Sequence, residues 1–217
     1  MAFSKELYRN ILSTEFFDRE EVVQIARELI GKGLYSTIGG QLTGGRIVET
    51  EAYRAPDDRA CHAHGNRRTA RTETMFAAPG TSYVYLCYGI HKMLNVVTAP
   101  AGTAHAILIR AIEPTVGIET MRARRNFPKR EADLTNGPGK VGQALGLQLT
   151  HNALDLTRSG SPVWLAEEGM EPAAEQIVSG PRVGVAYAGS CALRPWRFRL
   201  AGNRFAGRQE PEYGVGK

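Results

Sequence analysis

Apolar residues recur at helical spacing in one segment near the start of the chain. They lie three or four positions apart, at Val22, Ile25, Ala26, Leu29 and Ile30. Asp18-Arg-Glu-Glu21 has the pattern of a capping box, and Gly31 is a residue type that often ends a helix. The pattern predicts a helix over Arg19–Ile30.

The following segments have the period of two that is typical of strands. Gly39-Gly40 separates the strand-like runs Leu34–Ile38 and Arg46–Tyr53, which predicts a β-hairpin. Alternation within the second run puts one set of side chains on one face, namely Ile47, Glu49, Glu51 and Tyr53, and the other set, Val48, Thr50 and Ala52, on the opposite face. Two carboxylates and a tyrosine on one face are either a solvated surface or part of a chemical site.

A second hairpin is predicted between Ser82–Gly89 and Leu94–Thr98, with Tyr88 at or near its tip. The next strand, Ala104–Ile112, is expected to end before Pro114 and carries Arg110 among aliphatic neighbours. Because an unpaired buried charge is very costly, Arg110 needs a partner. A structural carboxylate would be sufficient.

The remaining predicted elements are short. The helices are Thr115–Arg125 and Val141–Leu147, the second opened by Gly137-Pro-Gly-Lys140, and the strands are Val163–Leu165, Arg182–Ala186 and Trp196–Leu200. Neighbouring hairpins with scattered helices predict an α+β fold, a single domain over residues 1–201. Residues 202–217, rich in Gly, Arg, Glu and Pro, are expected to form a flexible tail.

The charged residues are unevenly distributed. Lys and Arg total 27 against 22 Asp and Glu, a net charge of +5. One stretch concentrates basic side chains: Arg54, Arg59, His62, His64, Arg67, Arg68 and Arg71. Guanidinium groups bind phosphate in bidentate fashion, so a nucleic acid becomes a candidate partner.

Several protein classes are disfavoured. Cys61, Cys87 and Cys191 stand far apart without a Cys-x-x-Cys pair, which argues against a disulfide framework, a zinc ribbon or an iron–sulfur cluster. The histidines have no acidic or thiol partner at ligand spacing, so we expect no metal. The charged N-terminal segment and the absence of a long apolar run predict a protein of the cytoplasm, at the nucleoid in a bacterium or in the nucleus of a eukaryote.

Five segments carry a resemblance to a known family. They are Ile47-Val-Glu-Thr-Glu-Ala-Tyr53, Met75-Phe-Ala-Ala-Pro-Gly-Thr-Ser-Tyr-Val-Tyr85, Leu108-Ile-Arg-Ala-Ile-Glu-Pro114, Asn136-Gly-Pro-Gly-Lys-Val-Gly-Gln-Ala-Leu145 and Pro181-Arg-Val-Gly-Val185. In this order, from the first helix to Arg199, the chain resembles the alkyladenine (3-methyladenine) DNA glycosylase family. The resemblance implies a compact α+β domain with a mostly antiparallel curved sheet, no cofactor and no covalent intermediate.

The resemblance also implies roles for individual residues. Glu51 falls where the family has its general base, and Arg110 where an arginine assists it. Tyr53, His62 and Tyr85 match the walls of the base pocket, and Asn95 a residue beside the flipped base. Tyr88 matches the side chain inserted into the minor groove, while Arg67 and Lys140 lie in segments that contact the DNA backbone.

The implied activity is monofunctional base excision by a monomeric chain acting on double-stranded DNA that contains a damaged purine. A damaged nucleotide must rotate out of the duplex before its glycosidic bond can be reached. Glu51 would activate water, while Glu49 is assigned to structure. A neutral base would also need a proton, from solvent or from a side chain such as His62. The implied substrates are 3-methyladenine, 7-methylguanine, hypoxanthine and ethenoadenine.

Two other readings remain open from the sequence. In a helix-hairpin-helix glycosylase, Gly137–Ala144 would be the hairpin and Asp155 the catalytic aspartate, within a nearly all-helical fold. A basic RNA- or tRNA-binding module would need only the arginine cluster and exposed aromatic residues.

Overall fold

The structure, a computed structural model, describes residues 10–169 and 171–207. Its strands are β1 (Gly33–Ser36), β2 (Thr43–Arg54), β3 (Ser82–Cys87), β4 (His91–Thr98), β5 (His105–Val116), β6 (Val163–Ala166), β7 (Ile177–Gly180) and β8 (Arg197–Leu200). Its α-helices are α1 (Thr14–Phe17), α2 (Val22–Glu28), α3 (Ile118–Arg124) and α4 (Pro138–Ala144). Short 3₁₀ turns connect many of these elements.

β2 is the centre of a curled antiparallel sheet, because three strands pair with it. β5 follows one edge, while β1 and then β8 occupy successive parts of the other edge. The strand order is β3-β4-β5-β2-β1-β6, and β7 pairs with β8. The predicted α+β fold with a mostly antiparallel curved sheet is confirmed.

The main hydrophobic core lies on one face of this sheet. Ile47 of β2 and Ile107 of β5 pack there with Ile25 of α2, Met121 of α3 and Val141 of α4. The helices therefore cover that face. The opposite face of β2 is left to carry polar side chains and a second, smaller cluster of aromatic and apolar residues.

A β-bulge at Val48 changes which residues of β2 share a face. Ile47 and Glu49 pair with consecutive residues of β5, so Val48 between them has no partner. The extra residue directs Ile47 into the main core and Val48 towards Phe205 on the other side. The prediction that the two glutamates and Tyr53 share a face is confirmed, but the faces predicted for Ile47 and Val48 are exchanged.

Several element boundaries also differ from the prediction. Helix α2 begins at Val22 rather than at Arg19, because Asp18 is the C-cap of α1 and does not cap α2. β5 continues through Pro114, which lies at an irregularity of the β2–β5 ladder where a missing N–H is tolerated. Helix α3 begins only after Gly117, whose backbone is left-handed. The predicted strand Arg182–Ala186 is wrong, because its arginine is buried in an ion pair outside any ladder.

The packed chain extends beyond the predicted boundary at residue 201. Phe205 is 2% exposed and packs against Val48 and Ala111. The Gly207 N–H donates to Glu49 Oε2 at 2.6 Å. The boundary was therefore placed too early, and the rest of the predicted flexible tail, residues 208–217, lies outside the described residues.

The sheet contradicts the helix-hairpin-helix reading. The segment proposed as its hairpin contains only the short helix α4. Asp155 Oδ1 accepts hydrogen bonds from the backbone N–H and hydroxyl of Thr157, at 2.9 and 2.6 Å. This aspartate therefore has a local turn-forming role. None of the helices within the described ranges has the length and apolar character to cross a bilayer.

Candidate active site

The Glu51 carboxylate is buried and held on both oxygens. Its exposed fraction is 0%. Oε1 accepts the Val183 N–H at 2.7 Å, and Oε2 accepts the Tyr53 hydroxyl at 2.7 Å. Arg110 Nη1 lies 3.3 Å from Oε2. Each carboxylate oxygen can accept a further hydrogen bond, so this fixed orientation leaves capacity for a water molecule.

Tyr53 is a hydrogen-bond donor to this carboxylate. Burial and the negative charge of Glu51 raise the pKa of Tyr53 well above its usual value. The hydroxyl therefore keeps its proton at neutral pH and donates it. The period of β2 places Tyr53 two residues after Glu51 on the same face, which is why the two side chains meet.

Arg110 joins the two glutamates of β2. Its Nε donates to Glu49 Oε1 at 2.8 Å while its Nη1 approaches Glu51. Burial lowers the pKa of Arg110, but the charges of Glu51 and Glu49 outweigh burial and raise it. The partner that Arg110 required is thus both a structural carboxylate and the candidate base.

Glu49 has the structural role that was expected of it. Besides Arg110, it accepts from Arg197 Nε at 2.7 Å and from the Gly207 N–H at 2.6 Å. Burial raises the pKa of Glu49, but the charges of Arg110 and Arg197 outweigh it and hold the pKa below its usual value. Glu49 therefore ties β5, β8 and the segment after β8 to the central strand.

A cavity of about 460 Å³ opens beside Tyr53 and Arg110. Its walls contain every aromatic residue predicted for the base pocket: Tyr53, His62 and Tyr85, together with Tyr83. The His62 and Tyr85 rings meet edge to face with centroids 4.7 Å apart. Asn95 also lines the cavity, and its Nδ2 donates to the Tyr83 carbonyl at 3.0 Å, which fixes the amide. The size is that of a small-molecule site.

His62 is neutral in this environment. Burial and the positive charges of Arg71 and Arg67 lower its pKa to about 4. Arg71 Nη2 lies 3.3 Å from His62 Nε2 and can only donate, so Nε2 is the acceptor nitrogen. The proton then belongs on Nδ1, 2.9 Å from the Tyr83 hydroxyl oxygen.

Similarity to known proteins identifies the family of the chain that forms this cavity. The model of the methylpurine-DNA glycosylase family matches residues 15–204. Relatives from Chlamydia felis and Chlamydia pneumoniae are each 44% identical over 192 residues, covering 88% of this chain and 96% and 95% of theirs. A relative from Bacillus cereus strain AH820 is 40% identical over 199 residues, covering 89% and 97%. All three are named "Putative 3-methyladenine DNA glycosylase".

The chain belongs to the methylpurine-DNA glycosylase family. It is therefore an enzyme, a hydrolase of N-glycosyl bonds, and not merely a nucleic-acid-binding module.

Tyr88 lies at the rim of the cavity on the β3–β4 turn. Its side chain is 87% exposed, and its φ of 50° places it in the left-handed region. Gly89 follows with a φ of 72°. The tight turn therefore presents a bulky ring to solvent, and the predicted position at a hairpin tip is confirmed.

The basic stretch of this family member is less uniformly available than its sequence indicates. Arg54 pairs with Asp57 at 2.8 Å and Arg68 with Glu73 at 2.8 Å. Arg67 is exposed. Lys140 Nζ is held by Asp133 and Asn136 at 3.1 and 2.7 Å. The expected DNA contacts of Arg67 and Lys140 stay predictions.

A buried ion pair, which the periodicity of the sequence does not predict, holds the loop that contacts Glu51. Arg182 and Asp58 are both fully buried, with Nη1–Oδ2 and Nη2–Oδ1 distances of 2.5 and 2.8 Å. Arg182 also donates to the carbonyls of Ala52 and Cys191, at 2.8 and 3.0 Å. This fixes the loop whose next residue, Val183, donates its N–H to Glu51. The only sequence indication was that Arg182 belongs to one of the five family-like segments.

Proposed function

We propose that this chain is a monofunctional DNA glycosylase that excises alkylated or deaminated purines from duplex DNA and so initiates base excision repair. The substrates are 3-methyladenine, 7-methylguanine, hypoxanthine and ethenoadenine. The observation that supports this best is a buried carboxylate, Glu51, held by two hydrogen-bond donors and an arginine beside an aromatic cavity. The names of the relatives support the activity on 3-methyladenine.

Base flipping brings the lesion to this cavity. Extrusion costs a few kcal/mol of unstacking, and the cost is lowest for damaged or mispaired bases. The exposed Tyr88 ring fills the gap that the base leaves in the stack. Aromatic walls then stack on the base, which is worth about 1–3 kcal/mol per base.

Hydrolysis follows with Glu51 as the general base. The oxygen of a water molecule bonds to C1′ of the deoxyribose while the bond from C1′ to purine N9 breaks. The water proton passes to Glu51, and the electron pair of the broken bond leaves with the base. Arg110 orients the carboxylate and offers positive charge close to the water or the adjoining phosphate.

The protonation of the leaving base depends on its charge. A cationic base such as 7-methylguanine becomes neutral as it leaves and needs no proton. A neutral base such as hypoxanthine needs one. Because the pKa of His62 is about 4, this ring is not a proton source at neutral pH, so solvent supplies the proton.

The residues that line the cavity support a monofunctional enzyme. Among the described residues that line the cavity there is no lysine, so the chain lacks the amine nucleophile of a bifunctional enzyme there. The product is an abasic site.

The same proposal covers the partner and the place of action. The chain acts as a monomer on double-stranded DNA, in the bacterial nucleoid or the eukaryotic nucleus.

A strand-scission assay tests the proposal. A duplex with one hypoxanthine is incubated with the protein, and alkali then cleaves at abasic sites. We expect cleavage at that position with the wild type and none with Glu51→Gln, because the amide keeps the shape of Glu51 and cannot take a proton. Glu51→Gln should still bind the duplex. Normal turnover by this variant would remove Glu51 from the mechanism, and no excision by the wild type would overturn the activity.

A further inference from the structure

Arg71 places a guanidinium group on the wall of the base cavity. Its guanidinium carbon lies 5.1 Å from the centroid of the Tyr85 ring, and its Nη2 lies 3.3 Å from His62 Nε2. Burial raises the pKa of the Tyr83 hydroxyl, and the positive charge of Arg71 opposes that rise. One flexible side chain thus contacts two of the rings around the cavity and acts electrostatically on a third.

The charge of Arg71 lacks a carboxylate partner within the described part of the chain. Its contacts there are with aromatic and imidazole groups. Arg68, three residues earlier, differs because Glu73 accepts two hydrogen bonds from it, both at 2.8 Å. A positive field at the Arg71 position also accounts for part of the lowered pKa of His62. Arg71 therefore adds a positive charge to the cavity wall that no carboxylate of the described residues neutralises. The charge of Arg68, in contrast, is neutralised by Glu73.

This charge opposes the preference that aromatic walls alone would give. The face of a tyrosine ring attracts a cation, so a cavity of tyrosines favours alkylated, cationic purines over neutral ones. Arg71 already places a cation over Tyr85, and a second cation in the cavity would be repelled by it.

We propose that Arg71 is a specificity-determining residue whose positive charge disfavours cationic purines and so raises the relative excision of neutral ones. The inference rests on the proposed function, because it concerns the base that enters the cavity beside Tyr53 and Arg110. Arg71 is exposed and carries no core packing, so its substitution leaves folding intact.

The experiment compares two bases that both carry a carbonyl at position 6 but differ in charge. Single-turnover excision of 7-methylguanine and of hypoxanthine is measured for wild type, Arg71→Gln, Arg71→Lys and Arg68→Gln. In Arg71→Gln we expect the 7-methylguanine to hypoxanthine ratio to rise about tenfold, the size of a partly screened repulsion between two unit charges. Arg71→Lys keeps the charge and Arg68→Gln removes one outside the cavity, so both should keep the wild-type ratio.

A binding measurement separates this inference from the proposed function. The affinity of Glu51→Gln and of Glu51→Gln/Arg71→Gln for duplexes carrying each base is compared without turnover, and the same change in ratio is expected. Failure of the wild type to excise either base would overturn the glycosylase proposal, while the binding ratio still tests Arg71. An unchanged ratio in Arg71→Gln, or equal ratios in the Gln and Lys variants, would overturn the role of its charge.

Discussion

Tyr88 combines an unfavourable backbone conformation with an exposed ring. A left-handed backbone costs a residue with a side chain about 1 kcal/mol or more. Its φ is 50°, and only a small part of the side chain is covered. Folding therefore gains little from this residue, and the exposed ring is free for the insertion into DNA that we propose.

We expect Tyr88→Ser to slow excision and to weaken discrimination between damaged and undamaged DNA, with almost no change in melting temperature. The variant loses the ring that we propose to hold the gap in the duplex, while no core contact is removed. Single-turnover kinetics and thermal melting test this. Leu193→Ser is the control, because Leu193 is likewise an exposed large apolar residue, at 67%, but does not line the cavity. A large fall in melting temperature with unchanged excision would return Tyr88 to a structural role.

Single side chains could be assigned from the sequence only where a simple rule applied to them. Alternation along a strand grouped Glu49, Glu51 and Tyr53, and the cost of a buried charge required a partner for Arg110. Arg71 and Val183 follow neither rule. Both lie in loops without periodicity, and Val183 acts through its backbone N–H, which no side-chain pattern encodes.

The junction of β2, β5 and β8 depends on one buried carboxylate. Glu49 is 1% exposed and binds the guanidinium groups of both neighbouring strands. Removing one partner of a buried ion pair typically costs about 3–5 kcal/mol. We therefore expect Glu49→Gln to lower the free energy of unfolding by about 3 kcal/mol, while molecules that remain folded still excise bases through Glu51.

Lowering the pH should reduce the difference in free energy of unfolding between the wild type and Glu49→Gln. The pKa of Glu49 is lower in the folded chain than its usual 4.5. Its contribution is therefore complete above pH 4.5 and is lost as the pH falls through the folded value. Urea unfolding at neutral pH and in steps below pH 4.5 measures it. Glu113→Gln on β5 is the control, since Glu113 is 34% exposed, lies 3.7 Å from Arg46, and should contribute under about 1 kcal/mol. A difference in free energy of unfolding between wild type and Glu49→Gln that grows as the pH falls would contradict the role given to Glu49.

The strands could be located from alternation far better than their irregularities. The hairpins β1–β2 and β3–β4 and the strand β5 follow directly from period and turn residues. The bulge at Val48 could not be predicted, because one extra residue satisfies the same local pattern and is selected by the neighbouring strand. The passage of β5 through Pro114 is likewise a property of the pairing and not of the segment.

The whole molecule carries a net charge of +5, but part of its basic stretch is neutralised. Binding to undamaged duplex should weaken steeply with salt, with log K falling by about 0.9 per phosphate contact for each tenfold rise in salt. Arg67→Gln should reduce this slope by about one contact. Arg54→Gln should leave it unchanged, because Asp57 already binds that guanidinium. Fluorescence anisotropy across a salt series measures both slopes, and a flat dependence for the wild type would contradict the basic footprint.

The fold class and the family follow from the sequence because they depend on patterns spread over most of the chain. The end of the domain does not, because a Gly- and Arg-rich segment is typical of a flexible tail. Packing of the apolar residue Phe205 and the hydrogen bond from the Gly207 N–H to Glu49 anchor residues 202–207 in the structure. The charge of the surface follows from composition, but which arginines are free depends on neighbours such as Asp57 and Glu73.

The contacts around the two glutamates also imply an order in time. Val183 follows Glu51 by 132 positions, and Gly207 follows Glu49 by 158. During synthesis, the hairpin that carries Tyr88 leaves the ribosome long before these two backbone groups exist. The residue proposed to enter the duplex is therefore made well before the groups that hold the two glutamates, and the proposed site of hydrolysis is complete only after residue 207 has left the ribosome and packed.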